Sequence, residues 1–462
     1  MQELLERGWI GNKAGQGYYK REGGEFLHIH FRTFEYGPMD PVTLPGMEEL
    51  MAMPLDQRLQ AALQAKGEIG EYIRLHIPAV VQYAMEVGKE ISLGVADFDN
   101  VMKWGFGWEQ GPFEMVDGIG YENLQPYMTD SPLKEVGKFY VDSRSWDFRS
   151  DAHEALAKDE RTMSAEDLPV TQSGEGFNVR RFADGHFAFQ FRTKMNALNP
   201  SLLQGLQRHI ESHPRARVTL LGDSRAFSAG FNLQLLLDAA EQQRFEDVRG
   251  WLAQLQGVAQ ALQSVPSVAA VEGFCLGGGL ELALHCSRAI FHPEAFIGLP
   301  EALVGLLPAG GGTTLVRRLT QGDPKRMANA AITIALGKKV SAAAAEGTPY
   351  FRETDALLIN PDFMVHSALN LAPTAATPPT WEPAPPPLGA MIESEIEAAR
   401  SKGELTEYGA YIAEQIKHIF TKPTSEVQAL EMEVEAFLRL LGNALTQNRI
   451  KHMIETGKPL NN

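Results

Sequence analysis

Cysteine is scarce in this sequence, and its scarcity excludes a disulfide-based fold. The 462 residues contain two cysteines, Cys275 and Cys286, both in one apolar stretch. Disulfide scaffolds need many more, and no Cys/His spacing typical of a zinc site is present. The cysteine content therefore favours a reducing compartment. We expect a cytoplasmic protein with no metal site.

Basic residues are in the minority. Lys and Arg number 42 against 58 Asp and Glu, which gives a formal net charge of −16. Because binding to duplex nucleic acid depends on neutralising phosphates, this balance argues against a nucleic-acid partner. An anionic ligand must then be attracted by a local group of basic residues.

A long uncharged hydrophobic run is also missing. Residues 1–20 lack the apolar core of a signal peptide. The most apolar stretch, Val265–Ile290, carries Glu272, Glu281 and Arg288, and charges at that depth in a bilayer are costly. We therefore interpret the stretch as the core of a folded domain and expect no integral membrane association.

Sequence patterning divides the chain into five segments. The predicted segments are a helical region at 1–150, a polar linker at 151–175, an α/β domain at 176–372, a proline-rich linker at 373–390 and a helical tail at 391–462. The first rests on helical spacing of apolar residues in Tyr72–Ile91 and Ala96–Trp104. The tail has three helical patterns, at Met391–Arg400, Ala410–Ile419 and Glu426–Met453. We assign Glu431, Glu433 and Glu435 to the polar side of the last one.

The α/β prediction rests on strands that alternate with helices. Val179–Phe182 and His186–Phe191 flank Asp184–Gly185, which predicts a hairpin. The remaining predicted elements of this domain are a helix beginning at Asn199–Pro200, a strand at Val218–Leu221, a helix at Trp251–Leu262 and a strand at Ser267–Val271.

The glycine cluster after the last of these strands is the strongest candidate for a binding site. Gly277, Gly278 and Gly279 open an apolar helical pattern, so backbone N–H groups at a helix N-terminus can face an anion. Close packing alone would also explain these glycines. No Gly-x-Gly-x-x-Gly or Gly-Lys-Ser/Thr sequence is present, which argues against a phosphate loop. An oxyanion hole needs a second N–H donor, and the turn at Ala226–Leu233 can supply it.

Two glutamates occur in unusually apolar surroundings. Glu281 lies early in the helical pattern after the glycines, and Glu301 follows Leu299–Pro300. A buried carboxylate is costly unless it is paired or used, although a capping role for Glu281 and a surface position for Glu301 are the simpler alternatives. Two neighbouring carboxyls separate their proton affinities and so provide one acid and one base.

The order and spacing of these motifs resemble the enoyl-CoA hydratase/isomerase (crotonase) family. The similar segments are Asn196–Asn199, Ala226–Gly230, Gly277–Leu282, Pro300–Glu301 and Gly310–Thr313. The resemblance implies that the backbone N–H groups of Phe231 and Gly278 hold a thioester oxygen. It also implies that Glu281 and Glu301 handle the water and the α-proton during hydration of a trans-2-enoyl-CoA. The chain has Phe231–Asn232 where the family often has Ala-Asp, which predicts a narrower acyl pocket.

Five residues near these motifs are predicted to contact coenzyme A. Arg192 and Lys194, together with nearby Arg225, are expected to meet its phosphates, because they lie beside the two motifs. Ala226 and Ala229 are the other predicted contacts. At each basic position an ordinary solvated charge is an equally good interpretation.

The two ends of the chain resemble bacterial fused dehydrogenase–hydratase proteins of β-oxidation. Gly8–Tyr19, Asp97–Asp99 and Gly105–Gly120 look like the C-terminal helical part of 3-hydroxyacyl-CoA dehydrogenases, and Glu431–Pro459 is similar to the tail of the fusions. No positions match the family's NAD-binding part. The resemblance therefore implies an α/β protein with a crotonase-type ββα spiral. This domain is preceded by a helical dehydrogenase-like domain and followed by a helical tail.

The function implied is hydration of enoyl-CoA in fatty-acid β-oxidation. No cofactor is expected for hydration, because the CoA thioester is the substrate, and NAD is expected only with the dehydrogenase part that is missing. Expected partners are further copies of the chain, a thiolase, or a separate NAD-binding dehydrogenase. The alternatives are an enoyl-CoA isomerase and a non-catalytic module that assembles or channels for such a dehydrogenase.

Overall fold

The computed structural model describes residues 2–22, 25–38, 43–129, 137–156, 159–372 and 379–462. The chain forms two compact units, Met1–Lys158 and Asp159–Asn462. Their boundary falls in the segment 151–175, which was predicted as a linker. The segment also supplies an edge strand to each unit, Ala152–Ala155 and Val170–Gly174. The linker prediction missed these strands because their side chains are mostly exposed, so their sequence has no apolar alternation.

The first unit mixes helices with two small antiparallel sheets. Its helices are α1 (Gln2–Glu6), α2 (Met47–Met51), α3 (Leu55–Gln64), α4 (Glu68–Ile91), α5 (Val95–Phe106), α6 (Pro112–Ile119) and α7 (Tyr121–Leu124). Its strands are β1 (Tyr19–Glu22), β2 (Glu25–Ile29), β3 (Tyr36–Pro38), β4 (Tyr140–Val141), β5 (Arg144–Asp147) and β6 (Ala152–Ala155). The two predicted helices are confirmed as α4 and α5. The sheets correct the purely helical prediction, and they were missed because these short strands bury few side chains.

The second unit contains the predicted α/β elements. Its strands are β7 (Val170–Gly174), β8 (Phe177–Ala183), β9 (His186–Phe191), β10 (Arg217–Leu221), β11 (Ala226–Ser228), β12 (Ser267–Val271), β13 (Phe274–Leu276), β14 (Arg288–Phe291), β15 (Phe296–Gly298), β16 (Lys339–Ser341) and β17 (Ala356–Leu357). Its helices are α8 (Pro200–Ser212), α9 (Leu233–Glu241), α10 (Phe245–Ser264), α11 (Gly278–His285), α12 (Gly312–Thr320), α13 (Pro324–Ala335), α14 (Met364–Asn370), α15 (Leu388–Ser401), α16 (Glu407–Thr421), α17 (Glu426–Leu441) and α18 (Ala444–Thr456). The mixed α/β class is therefore confirmed.

The second unit contains two sheets whose strands alternate along the chain. The larger has the order β17-β14-β12-β10-β9-β8-β7, and the smaller has the order β11-β13-β15-β16. Each of β10, β12 and β14 is followed directly in the chain by a strand of the smaller sheet, and the neighbours β11, β13 and β15 are parallel. This is the strand–strand–helix spiral that the resemblance implies. It places the ends of β11, β13 and β15 side by side.

Local sequence signals account for the hairpin and the helix with which the spiral begins. The predicted hairpin is confirmed, since Ala183 pairs with His186 across Asp184–Gly185, and Gly185 has the positive φ of 70° that a tight turn favours. Asn199 caps α8, because its Oδ1 accepts the N–H of Leu202 at 2.8 Å.

The predicted tail helices pack into the core of the second unit. Phe420 and Phe437 belong to the same buried hydrophobic cluster as Leu280 and Leu315. The single helix predicted at Glu426–Met453 is wrong: α17 ends before Gly442, and Asn443 caps α18 by accepting the N–H of Leu445 at 2.9 Å.

Part of the proline-rich segment 373–390 lies outside the described residues, namely 373–378. From residue 379 it runs without regular structure along α12 until α15 begins at Leu388. There Trp381 lies under the Arg317 guanidinium, 3.7 Å from the ring centroid. In the described part of the chain, no helix has both the length and the apolar character needed to cross a bilayer.

Candidate active site

A cavity of about 210 Å³ lies in the second unit where the smaller sheet meets α9, α10 and α11. Leucine is the commonest residue of its wall, which includes Leu252, Leu255 and Leu306. Its charged side chains are Glu281, Glu301 and Lys339. An apolar cavity with a few convergent polar groups is the usual form of a small-molecule site.

Two loops bring backbone N–H groups to the wall of this cavity. Gly278 is the first residue of α11, so its N–H has no partner within the helix. Phe231 lies opposite Leu198 in a parallel bridge. The residues on either side of Phe231 make the hydrogen bonds of this bridge. Leu198 N–H donates to Gly230 O at 2.8 Å, and Asn232 N–H donates to Leu198 O at 2.9 Å. The N–H of Phe231 itself therefore points away from Leu198.

The two loops are in direct contact. A Cβ placed on Gly230 would lie 3.6 Å from the Gly278 nitrogen. Gly230 and Gly277 have positive φ values of 95° and 53°, which explains the choice of glycine. The predicted pair of donors, Phe231 and Gly278, is thus brought to one place, as an oxyanion hole requires.

Glu281 lies on the first turn of α11 and is 2% exposed. Its Oε1 accepts the N–H of Gly310 at 2.9 Å and that of Gly312 at 2.7 Å. Burial raises the pKa of Glu281 to about 7, while these two bonds act in the opposite direction. Its Oε2 would lie 3.7 Å from a Cβ on Gly278, so this oxygen is on the side of the predicted oxyanion hole.

Glu301 begins the short 3₁₀ helix Glu301–Val304 that follows β15. Its Oε1 would lie 2.8 Å from a Cβ on Gly277, and its buried Oε2 has no hydrogen-bond partner among the described residues. Burial raises the pKa of Glu301 well above its ordinary range, and the charge of Glu281 raises it further. Of the two carboxyls, Glu301 therefore holds a proton more strongly.

The predicted coenzyme A contacts are not brought together. Ala229 lines the 210 Å³ cavity, whereas Ala226 is fully buried in β11. Arg192 lies at another cavity, of about 520 Å³, and pairs with Glu166 at 3.2 Å. Lys194 is exposed and lines neither cavity. These coenzyme A assignments stay predictions.

The 520 Å³ cavity beside Arg192 is rich in acidic side chains. Glu166, Asp223, Glu272 and Asp362 line it. Burial, with the charges of Asp362 and Asp223, raises the pKa of Glu272 to about 7. Among the described residues, no group of three or more His, Cys, Asp or Glu side chains is arranged to hold a metal ion.

The helical tail contributes to the site, which the sequence patterns did not predict. Phe437 of α17 and Met453 of α18 line the 210 Å³ cavity, and Glu433 of α17 is 0% exposed. Placing Glu433 on the polar side of its helix was wrong. Glu431 and Glu435 are four residues apart and share a face, whereas Glu433 is two residues from each and so faces the opposite way. That spacing was the available signal.

The profile described as enoyl-CoA hydratase/isomerase matches residues 186–348. The "Probable enoyl-CoA hydratase" of Rhizobium meliloti (strain 1021) is 34% identical, over 40% of this chain and 68% of that protein. This chain belongs to the enoyl-CoA hydratase/isomerase family. The predicted family of the α/β domain is therefore confirmed.

A second relative aligns with the whole chain. The "Probable 3-hydroxyacyl-CoA dehydrogenase" of Bacillus subtilis (strain 168) is 30% identical over 100% of this chain and 64% of its own length. The alignment supports the predicted resemblance to dehydrogenase–hydratase fusions, and the chain spans less than two thirds of that relative.

The crystal structure of an enoyl-CoA hydratase from Rhodobacter sphaeroides 2.4.1 has a TM-score of 0.48 at 19% identity, and the match covers 62% of this chain and 91% of that one.

Proposed function

We propose that the chain adds water across the 2,3 double bond of a trans-2-enoyl-CoA thioester to give the 3-hydroxyacyl-CoA. The observation that carries the proposal is the meeting of two unlike glutamates and two backbone donors at one apolar cavity. Glu281 is held by N–H groups, whereas Glu301 Oε2 has no partner among the described residues. Hydration needs both a base for water and an acid for the α-carbon.

The backbone donors stabilise the charge that develops on the thioester oxygen. With that oxygen between the N–H groups of Phe231 and Gly278, the electrons of the double bond move towards the carbonyl as the new C–O bond forms. The resulting enolate carries its negative charge on the oxygen. Fixed donors in an apolar cavity stabilise such a charge strongly, because water does not compete for it there.

Each glutamate transfers one proton: Glu281 takes one from water, and Glu301 gives one to the thioester. The Glu281 carboxylate takes a proton from water as the oxygen of that water bonds to C3. Protonated Glu301 then donates its proton to C2, and the enolate returns to a thioester. The net change is addition of one water molecule. A proton passing from Glu281 to Glu301 restores the starting pair.

The remaining expectations follow the same proposal. We propose an acyl-CoA substrate from fatty-acid β-oxidation, a cytoplasmic location and assembly with further copies of the chain. A thiolase or an NAD-binding dehydrogenase is proposed as a further partner. Hydration is proposed to need no cofactor, because the CoA thioester is the substrate. The chain is also proposed not to bind NAD tightly, because the sequence has no dinucleotide fingerprint after a strand. Stoichiometric binding of NAD in calorimetry would reject that last point.

Product analysis with the purified chain tests the proposal against its alternatives. Crotonyl-CoA should be converted to 3-hydroxybutyryl-CoA, and a 3-enoyl-CoA should give little 2-enoyl-CoA. Preferential conversion of the 3-enoyl-CoA would instead identify an isomerase. No conversion of either substrate by the folded chain would favour the assembly module.

A further inference from the structure

Glu433 is a third buried carboxylate beside the proposed pair, and the mechanism above does not use it. Its Oε2 accepts the N–H of Gly311 at 3.0 Å. Its Oε1 accepts the hydroxyl of Thr314 at 2.6 Å and also the N–H of Thr314. With three donors directed at it, this side chain is held in one orientation inside the core.

Glu433 and Glu281 bind alternate donors of the same loop. Gly310 and Gly312 donate to Glu281, whereas Gly311 and Thr314 donate to Glu433. Because α12 begins at Gly312, these N–H groups are at the N-terminus of a helix, where they lack intrahelical partners and carry the positive end of the dipole. The two carboxylates thus divide the capping of one helix.

We propose that Glu433 is a positioning residue for the hydration proposed above, on which this inference rests. By holding Gly311 and Thr314, it fixes the direction of the Gly310 and Gly312 N–H groups, and these fix the Glu281 carboxylate. There is little room for the loop to adjust, since a Cβ on Gly312 would lie 2.6 Å from Glu281 Oε1. If the loop lost its hydrogen bonds to Glu433, the N–H groups that hold the Glu281 carboxylate would therefore also move.

Two titratable groups besides Glu281 lie beside this loop. Burial raises the pKa of Glu433 well above its ordinary range, and the charge of Glu281 raises it further. The other titratable group beside this loop is His285 of α11, whose ring would lie 3.4 Å from a Cβ on Gly311. His285 is neutral at working pH, because burial, together with Arg352 and Arg318, lowers its pKa to about 4. The role assigned to Glu433 therefore rests on its hydrogen bonds to the loop.

Glu433→Gln tests the proposal in the full chain, because glutamine keeps the size but places an amide against backbone donors. We expect kcat for crotonyl-CoA to fall about 10- to 100-fold with KM almost unchanged, as for a misplaced catalytic group. Glu431→Gln is the matched control, since Glu431 is exposed on the same helix.

Circular dichroism shows whether each variant is folded. A folded Glu433→Gln with wild-type kcat and KM would overturn the inference while leaving the hydratase proposal intact. An inactive wild-type chain would reject both. If Glu433→Gln does not fold, Thr314→Val decides: losing one hydrogen bond should lower kcat about 3- to 10-fold, and Thr314→Ser should restore it. Equal kcat in wild type, Thr314→Val and Thr314→Ser would also overturn the inference.

Discussion

Glu281 and Glu301 are the same residue type at one cavity, yet their surroundings differ in the way that the proposed roles require. Two N–H donors hold Glu281 and act against the rise in its pKa. Glu301 Oε2 has no partner among the described residues, and burial raises the pKa of Glu301 well above its ordinary range. The carboxyl with donors ionises more readily and is the one available as a base, whereas the one without keeps its proton and is the one available as an acid.

This division predicts the fate of the α-proton. In deuterated solvent, Glu301→Gln should exchange the C2 proton of 3-hydroxybutyryl-CoA at least about 100-fold more slowly than wild type, because the group that exchanges it is gone. Mass spectrometry of the product measures the exchange. A normal rate in the folded variant would show that Glu301 does not carry this proton.

Burial of Glu281 also predicts a pH dependence of stability. Burial raises its pKa from an ordinary 4.5 to about 7, so between these values the folded state binds more protons than the unfolded state. The free energy of unfolding must then decrease as the pH rises through this window. Glu281→Gln removes this loss, and should be more stable than wild type at pH 7.5 by up to about 3 kcal/mol.

Urea denaturation of wild type and Glu281→Gln at pH 5 and pH 7.5 checks this prediction. The difference between the two proteins should be small at the lower pH and large at the higher one. A difference that is the same at both pH values would mean that Glu281 titrates normally.

At the level of single elements, sequence patterns predicted the helices and strands that bury one side. They missed the strands whose side chains are mostly exposed. The helix α8 and the hairpin β8–β9 carry strong local signals, a capping asparagine and an Asp-Gly turn, and both were predicted. The exposed edge strands β6 and β7 carry no alternation and were missed. The break between α17 and α18 was also missed, although Gly442–Asn443 is a recognisable stop and cap.

The glycine loop before α12 gives a prediction at this scale. In Gly310→Ala, the new Cβ would lie 2.6 Å from Glu281 Oε2 and 2.4 Å from Leu255 Cδ2. The carboxylate must move, so kcat should fall about 100-fold. The control is Gly257→Ala within α10, where a Cβ meets nothing within 4 Å. Alanine there should raise stability by about 0.5–1 kcal/mol without changing kcat.

Steady-state kinetics and thermal unfolding of the two alanine variants provide the measurement. Normal activity in Gly310→Ala would show that the position of Glu281 does not depend on this loop.

At the scale of the whole chain, the candidate site is completed by residues far apart in sequence. Gly311 and its partner Glu433 are 122 positions apart, and Phe437 closes the cavity from the same helix. Local patterns predicted the glycine loops, Glu281 and Glu301 because each lies in a motif. They could not place the tail at the site, because that depends on long-range packing of α17 onto α12.

Two fragments test this organisation. Every residue of the candidate site lies in the second unit, so residues 159–462 should fold and keep the kcat of the full chain. Residues 159–387 lack α15 to α18 and should not fold, because core residues such as Leu280 and Leu315 lose their buried neighbours. Circular dichroism and the hydration assay report both outcomes. Hydration by the shorter fragment would show that the tail is dispensable.

The proposed mechanism requires Glu281 and Glu301 to act together on one substrate at the 210 Å³ cavity. The most direct test is the kcat for crotonyl-CoA hydration in wild type, Glu281→Gln, Glu301→Gln and the double variant. We expect each single variant to lose about 10²- to 10⁴-fold, and the double variant to lose much less than the product of the two losses, because both groups serve one step. Near-normal hydration by both folded single variants would contradict the account.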